Sequence, residues 1–329
     1  MLNRFKPAVA LVVLAALAAG CSGAGGSTPT TVMPSSSLTG RAKVHPNDTL
    51  GGVGNFAFGL LNILLTDAPP RIGNMTATAV NLGIDSVAVI NDGQATTLAS
   101  YSTPYVVNVM NNPGNPSPIA IGQYYQGNYQ KLRFTIDVAS SNVVGSNGQT
   151  YPIQFLTGST AQSTAGAGPT TVTWGNASTV SMVVSGNFSI DGDPAAAVQA
   201  DFNALESLAP TPGGGIVARP TLFAVADGLA GKADGVVQSA SGTPVAGATV
   251  VALDQNGNVA NTTSTDQNGA FDLHTIQAGT YRLVIYNTYT TASGQTLTAS
   301  GNGSSAASVQ GPTVTVTAGE TAQVGTIAD

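Results

Sequence analysis

Short apolar runs alternate along the chain with clusters of Gly, Asn, Asp, Pro and Ser, the pattern of strands separated by turns. Phe56 to Leu65 (FAFGLLNILL) is one such run. It is closed by Thr66-Asp67-Ala68-Pro69-Pro70, a strand end, because proline cannot continue a ladder. Ala77 to Leu82 and Ile84 to Ile90 read as two further strands. Asn91-Asp92-Gly93 predicts a tight turn, with Ala95 to Leu98 returning the hairpin. Tyr105 to Met110 is another strand, and Asn111 to Pro118 a loop.

Lys131 to Val138 (KLRFTIDV) alternates most cleanly. Leu132, Phe134, Ile136 and Val138 share one face, and Lys131, Arg133, Thr135 and Asp137 the other, so one face is buried and one wet. Asn147-Gly148 predicts a second hairpin turn before Thr150 to Phe155. Gly158 to Pro169 reads as an insertion, after which Thr170 to Trp174 and Thr179 to Ile190 resume the strand pattern. Val198, Phe202 and Leu205 have helical spacing, and Asp193-Pro194 is a good helix start. Ala196, Val198, Ala200 and Phe202 also alternate, which favours a strand with a short helical turn after it. Arg219 to Val225 is the last strand before a composition break near Gly228–Gly231. Residues 231–329 are expected to fold as a unit of their own.

Residues 1–20 have the pattern of an exported leader. Arg4 and Lys6 precede an apolar stretch from Ala8 to Ala19. Leu17-Ala18-Ala19-Gly20-Cys21 resembles a lipobox, in which the cysteine thiol takes a diacylglycerol. Ala18 stands where the best-matching lipoboxes have Leu. The alternatives are an ordinary secretory signal and a transmembrane anchor, but a span needs about 20 apolar residues. Cys21 is the chain's only cysteine and falls where lipidation requires it. Lipid there would anchor the chain to a membrane face without spanning it. Ser22, rather than Asp, follows the cysteine, which favours the outer membrane in a two-membrane host. Residues 21–40, Ser, Gly, Thr and Pro for the most part, read as a flexible tether. The organisation expected is therefore leader 1–20, tether 21–40, a β domain over 41–230 and a β-sandwich over 231–329.

Composition narrows the function classes. Charged residues make up 8% of the chain, against about 25% in a typical soluble domain. Low charge with abundant Thr, Ser, Gly and Val suits extracytoplasmic β-sandwiches. Without Arg4 and Lys6, eight basic residues face sixteen acidic ones, and no basic stripe exists to neutralise phosphates. Nucleic acid is therefore excluded as a partner. One cysteine rules out an intrachain disulfide.

Four motifs now combine: Leu65-Thr66-Asp67-Ala68-Pro69, Gly127-Asn128-Tyr129-Gln130-Lys131-Leu132-Arg133, Asp191-Gly192-Asp193 with Asp201-Phe202, and Arg219-Pro220. In that order they resemble the domain of unknown function 4382, over roughly residues 52–228. The resemblance implies a β-sandwich-like domain of bacterial lipoproteins and exported proteins, with no established chemistry. Arg71 to Ala79, rich in Thr and Ala, departs from the charged, aromatic run the family has there. Gly242-Thr243-Pro244-Val245-Ala246-Gly247-Ala248-Thr249-Val250 follows, then Thr265-Asp266-Gln267-Asn268-Gly269-Ala270-Phe271, then Ala278-Gly279-Thr280-Tyr281-Arg282-Leu283. This second set resembles the carboxypeptidase regulatory-like domain. It implies a seven-stranded, transthyretin-like sandwich of the carbohydrate-binding-like fold. Asp266 is placed to close a turn and Gly269 to supply positive φ. Phe271, Leu273, Tyr281, Leu283 and Ile285 are expected inside, with Val314, Val316, Val324 and Ile327 finishing the sheet. Residues 288–312 form a long Ser/Gly/Thr-rich excursion. The fold class expected is all-β, two Ig-like or transthyretin-like sandwiches.

Candidate chemistry is sparse. His45 and His274 are the only histidines and read as solvent-exposed, and no Gly-x-Ser-x-Gly elbow is present. Glu206 and Glu320 are the only glutamates, and nothing selects a carboxylate pair facing across a cleft. The chain is therefore read as not an enzyme. Calcium is the metal considered. Asp191 and Asp193, joined by Asp201, offer hard oxygens, as do Asp254, Asn256 and Asn258 more weakly. Ordinary Asx turns account for the same residues. For glycan binding, Tyr281, Tyr286 and Tyr289, or Tyr124, Tyr125 and Tyr129, with Trp174, are the aromatic groups on which sugars stack; core and edge tyrosines are the alternative. The reading is a non-catalytic cell-envelope lipoprotein that displays two sandwiches for binding or structural work. Its partners are the membrane through lipid at Cys21 and a glycan or an envelope protein. The alternatives are a carbohydrate-binding surface lipoprotein and a hydrolase accessory protein.

Overall fold

The computed structural model describes residues 58–329 apart from 67–70, 73–74, 111–116, 126, 160–166, 177, 191–196 and 300–307. The leader and tether, with Cys21 and His45, lie outside the described residues, as do Asp191 and Asp193 of the calcium reading. Both sandwiches of the expected all-β class are present.

The first comprises β1 (Phe58–Thr66), β2 (Arg71–Ile72), β3 (Met75–Asn91), β4 (Gln94–Asn108), β5 (Ser117–Tyr125), β6 (Gly127–Gly145) and β7 (Thr150–Phe155). It continues through β8 (Gly158–Ser159), β9 (Ala167–Trp174), β10 (Thr179–Ile190), β11 (Ala197–Phe202), α1 (Ala204–Ser207), β12 (Leu208–Pro210), β13 (Ile216–Ala218) and β14 (Leu222–Ala226). One sheet has the order β14-β11-β1-β5, with β1 and β11 parallel. The larger runs β12-β13-β7-β6-β10-β9-β8, and β3 joins it at β6, carrying β2 and β4. The core lies between the sheets. Leu132, Phe134 and Ile136 of β6 meet Val87 and Val89 of β3, Met182 and Val184 of β10, and Val198, Ala200 and Phe202 of β11. The alternation read from KLRFTIDV therefore holds, except that Val138 is only half-buried.

Several strand boundaries differ from the expectation. The two runs after Ala77 are one strand, β3, and the two runs after Ala95 are one strand, β4. Register shifts absorb the irregularities. The largest is on β6, where Asn81 faces Asn142 but Gly83 already faces Asp137. Ser141 Oγ accepts from the Gly83 amide at 3.1 Å and donates to the Asp137 carbonyl at 2.7 Å. A side chain at Gly83 would lie 2.6 Å from Ser140 Cβ, so only glycine permits this approach. The Asp92-Gly93 turn has positive φ at both positions, 48° and 77°, the type I′ geometry that matches strand twist. Part of the expected insertion is strand: Gly158 and Ser159 pair with Val172 and Thr171, and β9 begins at Ala167. The last strand of this sandwich starts at Leu222 rather than Arg219. The Arg219 and Thr221 amides are bonded instead to the Ser207 carbonyl and hydroxyl.

A single 3₁₀ turn, Asp227–Leu229, leads into the second sandwich. It comprises β15 (Ala230–Gln238), β16 (Thr249–Leu253), β17 (Val259–Ser264), β18 (Ala270–Gln277), β19 (Gly279–Tyr286), β20 (Thr288–Thr290), β21 (Thr296–Thr298), β22 (Ser308–Val316) and β23 (Thr321–Ala328). Three strands, β18-β15-β23, pack on four, β17-β16-β19-β22, which makes the seven of the expected architecture. Val250, Phe271, Leu273, Tyr281, Leu283, Ile285, Val316 and Ile327 fill the space between them, with Val324 half-buried against it. The Asp266 carboxylate accepts from the Asn268 and Ala270 amides, both at 2.8 Å, closing the β17–β18 turn as expected. The excursion after Tyr286 is not plain loop, because β20 and β21 form a hairpin within it.

Candidate functional site

Alternation along β11 creates the central feature of the molecule. With Val198, Ala200 and Phe202 turned into the first core, Gln199 and Asp201 must face the other way. That other face is covered by the second sandwich, and Asp201 is 1% exposed. Opposite it stands β18. Phe271 and Leu273 point into the second core, and a bulge then sets His274 and Thr275 against the single residue Lys232. Alternation from Phe271 and Leu273 turns His274 outward, and the bulge returns Ile276 to the core. Thr275 holds it at φ +54°, a strained conformation for a β-branched residue. His274 is thus 2% exposed, which corrects the expectation of a solvent-exposed histidine in a turn.

Amides bind the two sides together. Asn261 of β17 donates from Nδ2 to Asp201 Oδ2 at 2.9 Å and to the His274 carbonyl at 2.6 Å. Its Oδ1 receives Asn203 Nδ2 at 2.8 Å. Asn203 Nδ2 also lies 2.8 Å from the Thr262 carbonyl and 3.0 Å from its hydroxyl. Asn203 Oδ1 meanwhile accepts from the Glu206 amide at 3.0 Å and caps α1. One asparagine therefore starts a helix in the first sandwich and ties it to the second.

A clasp adjoins this seam. Glu206 is fully buried in α1. Its Oε1 accepts from the Tyr289 hydroxyl at 2.7 Å, and its Oε2 from the Ala292 amide at 2.8 Å. Its carbonyl accepts from the Ser293 amide at 2.9 Å. The β20–β21 hairpin thereby grips the helix of the first sandwich.

The electrostatics follow from dryness. Burial pushes the Asp201 carboxyl up from its ordinary value, against the opposing pull of His274 and the Asn261 hydrogen bond. Burial likewise pushes the His274 imidazole down, with Asp201 opposing and Lys232 assisting. His274 Nε2 lies 3.9 Å from Asp201 Oδ1.

The other candidate residues scatter. Asp254 closes a turn, its Oδ1 accepting from the Asn256 and Asn258 amides at 2.8 Å and its Oδ2 from Asn258 Nδ2 at 3.0 Å. Slight burial raises its carboxyl, but these hydrogen bonds outweigh that and hold it below the ordinary range. Among the described residues, no group of three or more His, Cys, Asp or Glu is placed to hold a metal ion, and Asp201 of the calcium reading is bonded to Asn261 and faces His274. Tyr281 is buried, with its hydroxyl on the Gln277 carbonyl at 2.6 Å. Tyr286 and Tyr289 are half-buried, with ring centroids 5.3 Å apart. Tyr129 packs against the first core, and the Tyr124 and Tyr125 side chains lie outside the described set. Trp174 stands apart, 49% exposed at the end of β9. A small open depression lined by Pro152, Ile153, Gln154, Thr211, Gly215 and Ile216 contains no ionisable side chain.

Sequence reasoning placed neither Asn203, Asn261 nor Glu206 in a site. Asn203-Ala204-Leu205-Glu206 does carry the spacing of a capping signal, and it marks the helix start that Asp193-Pro194 had suggested ten residues earlier. Nothing local marks Asn261.

Fold and seam together define a tandem all-β protein whose two sandwiches are joined through buried polar side chains. Residues 58–220 match the model of the domain of unknown function (DUF4382), and residues 233–328 match that of the carboxypeptidase regulatory-like domain. The chain carries these two domains in tandem. No curated protein matches the chain. Among solved structures it is similar to a variant of BcpA, the major pilin subunit of Bacillus cereus, at 11% identity and a TM-score of 0.25, over 82% of this chain and 99% of that one. It is also similar to GBS52, the minor pilin of Streptococcus agalactiae, at 12% identity and a TM-score of 0.21, over 82% and 94%. A 9R-lipoxygenase from Cyanothece PCC8801 matches at 16% identity and a TM-score of 0.20, over 31% of this chain and 17% of that one. At such scores these likenesses carry no argument about fold or function.

Proposed function

We propose that the chain is a non-catalytic cell-envelope lipoprotein that displays its two sandwiches as one rigid unit for binding or structural work. The supporting observation is the seam. Asp201, Glu206 and His274, the ionisable groups buried deepest among the described residues, are committed to joining the domains rather than to lining an open cleft. A joint of this kind transmits position and orientation, which is what a displayed module needs.

The anchor rests on Cys21 alone. Changing Cys21→Ser is expected to move the chain from the membrane fraction to the soluble fraction and to abolish incorporation of labelled palmitate. Retention of the variant in the membrane fraction would sink the anchor.

A second reading, a glycan-binding module, draws on Trp174. A half-exposed tryptophan at a strand end, beside the Asn176 turn, offers a face on which a pyranose can stack. A glycan array probed with the chain is expected to give a saturable signal that Trp174→Ala reduces about tenfold, the loss of roughly 1.4 kcal/mol. Repeating the array with chelator tests calcium at Asp191 and Asp193. A blank array removes this reading and leaves an envelope protein as the partner class to pursue.

A further inference from the structure

We propose that Asp201 and His274 hold a single proton between them across the domain seam, and that this proton keeps the two sandwiches locked together over the mildly acid range. The inference rests on what surrounds the pair. Both residues are almost wholly buried, and their nearest charged atoms are 3.9 Å apart. Among the described residues, Asp201 Oδ1 and both ring nitrogens of His274 have no hydrogen-bond partner. Of the elements packed there, β14 (LFAVA) and β17 (VANTTS) contain no ionisable residue, and β11 contributes only Asp201. Glu206 of α1 is bonded to the hairpin. On β15, Lys232 lies opposite the bulge, and Asp234 pairs with Asp272 of β18 two positions before His274.

The proton count follows. With two protons, the pair is an imidazolium beside a neutral acid, and a buried cation has no counterion. With none, a buried carboxylate is held by Asn261 alone. With one, no charge in the seam is uncompensated, wherever the proton sits.

This count makes an unusual prediction about pH. In the unfolded chain the histidine titrates near its ordinary value of 6.5 and the aspartate near 3.8. Between those values the unfolded pair also carries one proton, so folding takes up and releases none through it. Removing either partner breaks the balance, in opposite directions. With Asp201 gone, the folded histidine resists protonation. Its contribution to stability is present above 6.5 and lost as pH falls below that value. With His274 gone, the folded carboxyl keeps its proton longer than the unfolded one. Its contribution is present below 3.8 and lost as pH rises through the raised pKa. Lys232, Asp234 and Asp272 remain in every variant and form a common background.

The test is the thermal midpoint of the full chain between pH 4 and 7, for the natural sequence, Asp201→Asn, His274→Gln and the double variant. Relative to the natural sequence, Asp201→Asn is expected to lose about 5 °C between pH 7 and pH 5. His274→Gln is expected to change in the opposite sense, and the double variant to run parallel to the natural sequence. Single variants that both run parallel to it overturn the proposal. Should a single variant not fold, the natural chain still decides the matter, because its two histidines give two imidazole resonances. The His274 resonance is expected to stay unmoved down to pH 5. Two histidines titrating near 6.5 overturn the shared proton.

Discussion

Replacing Asn203 by alanine is expected to uncouple the two sandwiches. The side chain caps α1 and supplies the amide that reaches Asn261 and Thr262 across the seam. Loss of an N-cap costs about 1 kcal/mol. Taking the Asn203 donor from the buried Thr262 carbonyl and from Asn261 Oδ1, which keeps the Thr262 amide at 2.7 Å, adds about 1–3 kcal/mol. The sum is roughly 2–4 kcal/mol, of which the cap falls on the first sandwich and the rest on the joint. Calorimetry of the full chain is therefore expected to show one cooperative transition in the natural sequence and two in Asn203→Ala. The transition of the first sandwich should shift most, because it also loses the cap. An unchanged single transition would show that the remaining links, the Asn261–Asp201 bond and the Glu206 clasp with the apolar contacts, hold the joint without Asn203.

Gly269→Ala is expected to be more damaging still, and to act on the second sandwich alone. Gly269 sits at φ +74° in the turn closed by Asp266. A Cβ there would lie 2.3 Å from the Val237 carbonyl oxygen and 3.2 Å from the Val245 amide nitrogen. Both neighbours are backbone, so neither can rotate away. Relief requires breaking the Val237 N–H bond to the Gly269 carbonyl or the Val245 N–H bond to the Val237 carbonyl. The left-handed backbone costs a non-glycine residue about 1 kcal/mol, and the displaced strand brings the total to about 3 kcal/mol or more. Gly257→Ala is the matched control, with φ +82° and nothing within 4 Å of the added carbon. Denaturant unfolding should show Gly257→Ala losing only about 1 kcal/mol. Equal losses in the two variants would mean that the contact at Val237 is relieved without strain.

Turn chemistry was the most legible part of this chain, since it is local. Asp92-Gly93 and Asp266 to Gly269 each announce a conformation that only a few residue types adopt, and each is found there. Strand continuity was less legible. A bulge leaves the ladder intact but interrupts the alternation, so β3 and β4 read as broken where they only bend. The seam was least legible. Period-two alternation assigns Asp201 to the face opposite Phe202, but no feature of β11 says whether water or protein covers that face. The same holds for His274. Its outward direction follows from the alternation of Phe271 and Leu273, but its burial depends on a strand more than 70 residues earlier in the chain.

By itself, then, the amino-acid sequence determined the strand-rich class and the glycines of its turns, because these follow from steric rules acting over two to four residues, while the two sandwiches and their order came from the family resemblances its motifs carry. It also presented Cys21 and the apolar stretch before it, on which the proposed anchor stands. Tertiary structure decided which polar residues would be dry. Asp201, Asn203, Glu206, Asn261 and His274 look like surface residues in any local window, and each is buried where the two sandwiches meet. Desolvation depends on what arrives from elsewhere in the chain, and in this protein it converts five ordinary polar side chains into the joint between two domains.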